Sequence, residues 1–353
     1  MKAPSSGNKK QASSFLAITN AAKKIGLDNF ILLLIGMIIL ARFFPQGGAY
    51  EGAFSLANIG TWGVSFIFFF YGLRLSPEKL KAGLSKWKLH IVVQLATFVI
   101  FPLLVGVVMH FFKNDSNQYL WLGIFFLAAL PSTVSSSVVM VSIARGNMAA
   151  AIFNASISSL LGVFITPLLM GFVVNTAAGH FDLTDIIVKL SLQVLAPVIL
   201  GIVLHHKWGG FAEKYKKLLK SFDQAVILLI VYTSFCESFA RNMFSGFSIG
   251  DLLLLSAGMS SLFFTVYFVI KAVCSFLKFD HEDTITALFC GSKKSLVHGT
   301  VMSKVLFAGS EVTGLLLLPL MIYHALQLIT ASIIAQKFAR ENGSDAEGLT
   351  RES

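Results

Sequence analysis

The stretch Ala287-Leu288-Phe289-Cys290-Gly291-Ser292-Lys293-Lys294-Ser295-Leu296-Val297-His298-Gly299-Thr300 sets two adjacent lysines, two serines, two glycines and a histidine inside an apolar run. A charge at the centre of a bilayer costs at least ~2.5–3.5 kcal/mol, so it persists where it faces a cavity or a partner. Non-helical backbone at membrane depth is tolerated only where it is buried in protein or lines water. The stretch therefore reads as the unwound middle of a discontinuous membrane helix, and as a transport site. The competing reading is a cytoplasmic loop between two short apolar segments.

The rest of the chain supports the first reading. Of 353 residues, 55% are hydrophobic and 13% charged, with mean hydropathy +0.75. A soluble domain carries about 25% charge. This is a polytopic, all-α membrane protein with no sizeable soluble domain. The net charge of +10 does not point to nucleic acid, because the basic residues sit in short clusters between apolar spans. Cys236, Cys274 and Cys290 all fall in spans, without CxxC or metal-ligand spacing, and read as packing residues. No removable signal peptide is expected.

Residues 1–28 form a cytoplasmic segment, polar over 1–13 and compatible with a short interfacial helix over 14–28. The transmembrane domain covers 29–336. Its spans are expected near 29–44, 58–75, 89–112, 119–144 and 148–175, then 184–206, 222–240, 251–277, 283–308 and 311–336. Basic loops are expected at 74–88 and 207–220, and a disordered cytoplasmic tail over 337–353. Glu237 and Arg241, at i and i+4, read as a structural pair.

Of 28 lysines and arginines, 21 fall on one side of this arrangement. Three (Arg42, Lys113, Arg241) fall on the other, and Lys189, Lys293, Lys294 and Lys304 lie within spans. The asymmetry puts both termini in the cytoplasm and requires an even number of spans, here ten. Five spans per half is odd, so two equivalent halves, 29–178 and 184–336, insert with opposite orientation. Each half is interrupted in its fourth span, near 131–137 and near 291–299. Paired interruptions at corresponding positions point to the binding site of a secondary transporter.

At such breaks, helix N-termini suit anions, while freed carbonyls and hydroxyls suit a cation. The first break offers Ser132, Thr133, Ser135, Ser136 and Ser137; the next span adds Asn154, Ser156, Ser158 and Ser159. A single serine more often back-bonds to its own helix. Gln94 is a further polar candidate, with interhelical packing as its alternative. The second break offers Ser292, Lys293, Lys294, Ser295 and His298. The two lysines lie about 100° apart on a helix, so only an unwound backbone could turn both to one point. One could face a substrate anion while the other bonds carbonyls. A buried lysine or His298 could carry a proton. Few acidic residues lie in the spans, which disfavours a carboxylate-based cation pump. No catalytic motif, phosphate loop or metal spacing appears, so an enzyme is not expected.

Ten spans with breaks in the fourth and ninth resemble the bile acid:sodium symporter superfamily. Pro131 with its Ser/Thr run and Ala144-Arg145-Gly146-Asn147 look like the span-4 region of bacterial members. Tyr71-Gly72-Leu73-Arg74-Leu75-Ser76-Pro77 and Phe289-Cys290-Gly291-Ser292-Lys293-Lys294-Ser295 are similar to the bile-acid-symporter-like subgroup. The resemblance runs from about residue 28 to 338. It implies a panel of spans 1, 2, 6 and 7 and a core of spans 3–5 and 8–10, with spans 4 and 9 crossing. It also implies sodium near Ser136, Ser137 and Ser156, the family's sodium-binding Ser-Asn pair falling on Ser136-Ser137 when aligned from Pro131 and one residue later when aligned from Arg145. Sodium-coupled members carry Glu-Val-Gly-Met-Gln-Asn in span 9, where the Glu binds sodium. Alignment on Gly291 sets Phe289 at that Glu, Lys293 at the Gln and Lys294 at the Asn. The carboxylate is missing and an ammonium enters, so coupling by Na⁺ is put in question and H⁺ is the other candidate. The expected function is secondary transport of a small organic anion across a bacterial inner membrane, with no cofactor beyond the coupling ion. The expected partners are that anion and the lipid bilayer, with a homodimer allowed. The alternative is a regulator of ion homeostasis that keeps the scaffold without moving a solute.

Overall fold

The computed structural model describes residues 29–49, 55–75, 85–178, 188, 191–245, 247–307 and 310–351. The interfacial helix expected over 14–28, Lys189 and the first 13 residues lie outside them. The described residues are helical, without a strand. Helix α1 spans Asn29–Phe43 and the short α2 Pro45–Ala49; α3 spans Leu56–Arg74. Next come α4 (Trp87–Leu95) and α5 (Phe101–Phe112), joined through a π-helical turn at Ala96–Ile100. Then follow α6 (Gln118–Ala129), α7 (Ser135–Ile143) and α8 (Met148–Ala178). The second half holds α9 (Ala196–Lys214), entered through a π-helical turn at Ser191–Leu195, and α10 (Lys216–Ala240). It continues with α11 (Ile249–Phe276), α12 (His281–Gly291), α13 (Leu296–Leu306) and α14 (Thr313–Arg351).

Among the described residues, seven helical segments are long and apolar enough to cross a membrane. They are Leu56–Arg74, Trp87–Phe112, Met148–Val174, Ser191–Lys214, Lys216–Ala240, Ile249–Phe276 and Thr313–Glu341. Phe30–Phe43 and Gln118–Ala129 are shorter apolar helices. Large apolar side chains are exposed along these helices, among them Leu103, Phe172, Val203 and Leu254, as expected of surfaces that meet lipid.

Helices α1, α3, α9 and α10 pack together, with the most extensive contact between α3 and α9. Glycine permits that approach: a Cβ on Gly72 would lie 2.2 Å from the Val198 carbonyl oxygen, and one on Gly201 2.3 Å from that of Phe69. The short α2 packs on α10 and α1, and the remaining helices form a second group. There α14 packs on α6, α11 and α13, while α8 packs on α6, α7 and α12. Helix α10 also touches α13 and α14, so it lies along the boundary between the groups.

Three local expectations change. The basic stretch 207–220 is helical rather than a loop, with α9 and α10 separated only at Tyr215. Its lysines alternate with Trp208, Phe211 and Leu218, a composition that a helix end emerging into headgroups accommodates. The last helix runs past residue 337 to Arg351. Arg241 closes an ion pair with Glu311 at 2.9 Å. Arg241 is the C-cap of α10 and its N–H still bonds the Glu237 carbonyl at 3.2 Å, so it is the side chain alone that turns to Glu311.

Candidate functional site

The first break has a proline at its origin. Pro131 restricts the residue before it to extended backbone, and Leu130 sits at φ −72°, ψ 153°, ending α6. The second break is held open from α14. The Gln327 side chain accepts from the Lys294 N–H at 2.8 Å and donates to the Lys294 carbonyl at 2.8 Å. One turn earlier, the Tyr323 hydroxyl donates to the Ser292 carbonyl at 2.7 Å. These two side chains satisfy backbone groups that unwinding would otherwise orphan. Helix α13 then restarts on its N-cap Ser295, whose hydroxyl accepts from the His298 N–H. Both interruptions are shorter than the polar stretches around them. Residues 130–134 and 292–295 are non-helical, while Ser136, Ser137, His298 and Gly299 lie in the restarted helices.

The two breaks bond directly to each other. Ser132 Oγ donates to the Cys290 carbonyl at 2.5 Å and Ser137 Oγ to the Phe289 carbonyl at 3.0 Å, which satisfies the end of α12. The Ser295 N–H donates to the Pro131 carbonyl at 2.9 Å. The end of α6 is satisfied by Lys294. Its ammonium donates to the carbonyls of Ala128 (2.6 Å), Leu130 (2.8 Å) and Thr97 (2.7 Å), and lies 4.2 Å from the centre of the Phe101 ring.

Each of those carbonyls is free for an identifiable reason. The Ser132 N–H, which would have continued α6 onto Ala128, goes to Ser158 Oγ at 3.0 Å. Leu130 lies past the helix end. Thr97 is released by the π-helical turn: the Phe101 N–H reaches back to Ala96, one residue beyond the α-helical partner. Pro102 follows immediately and has no N–H to give. The ammonium thus occupies a three-carbonyl cage of the kind an alkali cation would use, and all three of its hydrogens have acceptors.

Lys293 is different. It is also fully buried, yet its ammonium has no hydrogen-bond partner. It lies 6.0 Å from the centre of the Phe289 ring, near Cys290 and His324. Three other fully enclosed polar atoms lack a partner near the breaks: Gln94 Oε1, His298 Nε2 and the Tyr71 hydroxyl. Gln94 donates through its amide to Asn154 Oδ1 and to the Asn154 carbonyl, both at 3.3 Å. The His298 Nδ1 lies 2.9 Å from Ser295 Oγ, and its ring stacks edge-on with Phe68 (5.4 Å) and Tyr71 (6.3 Å) of α3. The Tyr71 hydroxyl approaches Ser156 and Ser159 without closing a hydrogen bond to either. Those serines back-bond to Ile152 and Ala155 of their own helix, so they turn lone pairs toward Tyr71.

The sequence candidates therefore separate into clusters. Ser132, Ser137, Ser158 and Lys294 belong to the joint between the breaks. Thr133 bonds Ser136 (2.7 Å) and Ser137 (2.9 Å) at the start of α7. Ser292 back-bonds to the Leu288 carbonyl. Ser135 opens α7, and its side chain is outside the described set. Ser156 is not bonded to Ser136 or Ser137; it faces α3 instead. Tyr71, quoted above only for the family resemblance, and His324, Tyr323 and Gln327 are not among the sequence candidates. The last three form Tyr-His-x-x-Gln in an apolar span, a polar spacing that puts Tyr323 and Gln327 on one helix face.

Residues 28–340 match the SBF-like CPA transporter family. The chain belongs to that family. It is 40% identical to an uncharacterized protein of Pseudomonas aeruginosa over 91% of this chain and 96% of the other. It is 39% identical to the protein named Putative symporter YfeH of Escherichia coli K12, over 89% and 94%. Sodium/bile acid cotransporter 7-B of Xenopus laevis is 31% identical, over 86% and 90%. The chain is thus a multi-pass membrane protein of the bile acid:sodium symporter superfamily, similar to proteins named as transporters.

Proposed function

We propose that the protein is a secondary transporter of a small organic anion, working by alternating access, with Lys293 facing the anion and Lys294 serving as a built-in cation. The observation that carries this reading is the contrast between the two lysines. One has every hydrogen on a backbone carbonyl, and the other is buried with none. A buried ammonium without a partner is costly, and an arriving carboxylate or similar oxyanion would relieve that cost. Gln94, His298 and Tyr71 offer further unpartnered polar atoms for orienting it.

The scaffold we assign is ten spans in two inverted repeats. The seven long helices contribute seven, α1 one, and the interrupted pairs α6–α7 and α12–α13 one each. Helices α1, α3, α9 and α10 form the panel and the rest the core, with both termini cytoplasmic. Because Lys294 already fills the carbonyl cage, coupling to Na⁺ at that point is not required; H⁺ or the substrate gradient remains as the drive.

The test is uptake by purified protein in liposomes offered a metabolite mixture, with internal contents read by mass spectrometry. An anionic metabolite should accumulate at the same rate in Na⁺ and K⁺ media, and Lys293→Met should abolish its uptake. Full dependence on Na⁺, or undiminished uptake by Lys293→Met, overturns the proposal.

A further inference from the structure

The bend between α9 and α10 carries lysines without a carboxylate. Lys207 and Lys214 lie on α9, Lys217 and Lys220 on α10, and all four are exposed. None of them forms an ion pair among the described residues. The acidic side chains nearest in sequence are already taken: Glu213 pairs with Lys216 at 3.1 Å and Asp223 with Arg74 at 3.0 Å. We infer that this bend is a binding surface for the headgroups of anionic glycerophospholipids.

Depth along the helices places the charge. Ile199, Leu200 and Val203 of α9 are exposed, as a lipid-facing surface requires. Lys207 follows Val203 by one turn, about 6 Å along the axis. Beyond the bend, Lys220 shortly precedes the apolar run of α10 that starts at Ala225. The ammonium groups therefore stand where hydrocarbon gives way to headgroups. Rings are interleaved with them: Trp208 is 52% exposed, Phe211 50% and Tyr215 39%. Trp and Tyr settle at the membrane–water interface, with the ring in the apolar part and the polar tip in water. The rings also order the bend. Phe211 and Tyr215 lie 4.7 Å apart, centre to centre, and the Lys214 ammonium is 5.4 Å from the centre of the Tyr215 ring. A nucleic acid or an acidic protein segment would meet the charge but leave the rings in water. A phospholipid matches both, with its phosphate against the lysines and its glycerol and chains against the rings. A zwitterionic headgroup brings a cation of its own, so an anionic one is selected. Basic clusters beside a spanning helix attract anionic lipid in this way.

Lipid binding is separate from transport at the breaks and is measured without it. The purified full chain is exchanged into detergent micelles carrying equal amounts of phosphatidylglycerol and phosphatidylcholine, and its bound lipids are counted by native mass spectrometry. Phosphatidylglycerol should be retained in preference to phosphatidylcholine. Each lysine beside an anionic surface is worth about fivefold in affinity. The triple variant Lys207→Gln, Lys214→Gln, Lys217→Gln should therefore retain phosphatidylglycerol at least about tenfold less well. Arginine at the same three positions should restore retention, which separates lost charge from a disturbed fold. The triple variant Lys271→Gln, Lys278→Gln, Lys337→Gln removes as many exposed charges elsewhere and should leave retention within about twofold. Equal retention of the two lipids by the unaltered chain, undiminished retention after glutamine replaces the three lysines of the bend, or an equal loss from the three elsewhere overturns the inference.

Discussion

Two neighbouring lysines with the same burial have opposite bonding, and the difference is measurable without any substrate. Removing the Lys294 ammonium leaves the carbonyls of Thr97, Ala128 and Leu130 buried without a donor. Each orphaned group costs about 1–3 kcal/mol, with partial compensation when several relax together. Lys294→Met is therefore expected to lose at least ~3 kcal/mol, seen as a clear fall in thermal unfolding temperature in nanodiscs. Lys293→Met removes a buried charge that satisfies nothing. It should be neutral or stabilising, as when a poorly compensated buried charge gives way to an apolar side chain of similar length. Equal destabilisation by both substitutions would contradict the assignment of roles. Of this contrast, only the alternatives were legible in the sequence. The two positions are adjacent and chemically identical, and their environments come from α4, α6 and α14.

At the scale of elements, helix starts carry information that the tertiary packing then uses. Helix α12 begins on Asp280, whose carboxylate accepts from the Asp283 N–H at 2.7 Å, with Glu282 and Asp283 in the first turn. Lys86, just before α4, lies 2.7 Å from Asp283 and 3.2 Å from Asp280, so the cap also ties two elements together. The Asp283 amide, with Lys86 next, holds the Asp280 carboxyl below its ordinary pKa, and Asp283 with Asp280 raises that of the Lys86 ammonium. Because folded Asp280 stays ionised to lower pH than unfolded Asp280, its contribution is full above the usual carboxylate range and is lost as pH falls through it. The Lys86 contribution runs the other way, full below the ordinary lysine value and lost above it. Both groups are well exposed, so the ionic part amounts to less than ~1 kcal/mol. Asp280→Asn keeps a capping side chain and drops the charge. It should be slightly less stable than wild type at about pH 7 and equal to it once Asp280 is protonated, as followed by thermal unfolding across pH. A gap that is the same at every pH would mean that the charge plays no part.

For the whole molecule, the testable quantity is sidedness. The distribution of 21 basic residues against three motivates ten spans with both ends in the cytoplasm. On a cysteine-free background, Tyr50→Cys should react with an impermeant maleimide from outside only, and Tyr215→Cys from the cytoplasm only. Reversed labelling of either position would remove the inverted arrangement, and with it the equivalence of the α6–α7 and α12–α13 breaks.

The division between sequence and tertiary structure follows the range of the interactions involved. Membrane residence, the helical class and the two interruptions are set by local composition. Apolar runs of spanning length, Pro131 and a lysine pair amid apolar neighbours each act within a few residues of themselves. The π-helical turn at Ala96–Ile100 was also foreshadowed locally, by Pro102, although it went unread. Which carbonyls at the breaks would be free could not be read that way. Ser158 and Gln327 take the N–H groups of Ser132 and Lys294, and the Tyr323 hydroxyl donates to the Ser292 carbonyl, each from 26 to 33 positions away along the chain. Nor could the sequence separate Lys294 from Lys293. A side chain that reaches three carbonyls on two helices is distinguished from its neighbour only once those helices have packed, because the cost of burial depends on partners brought from elsewhere.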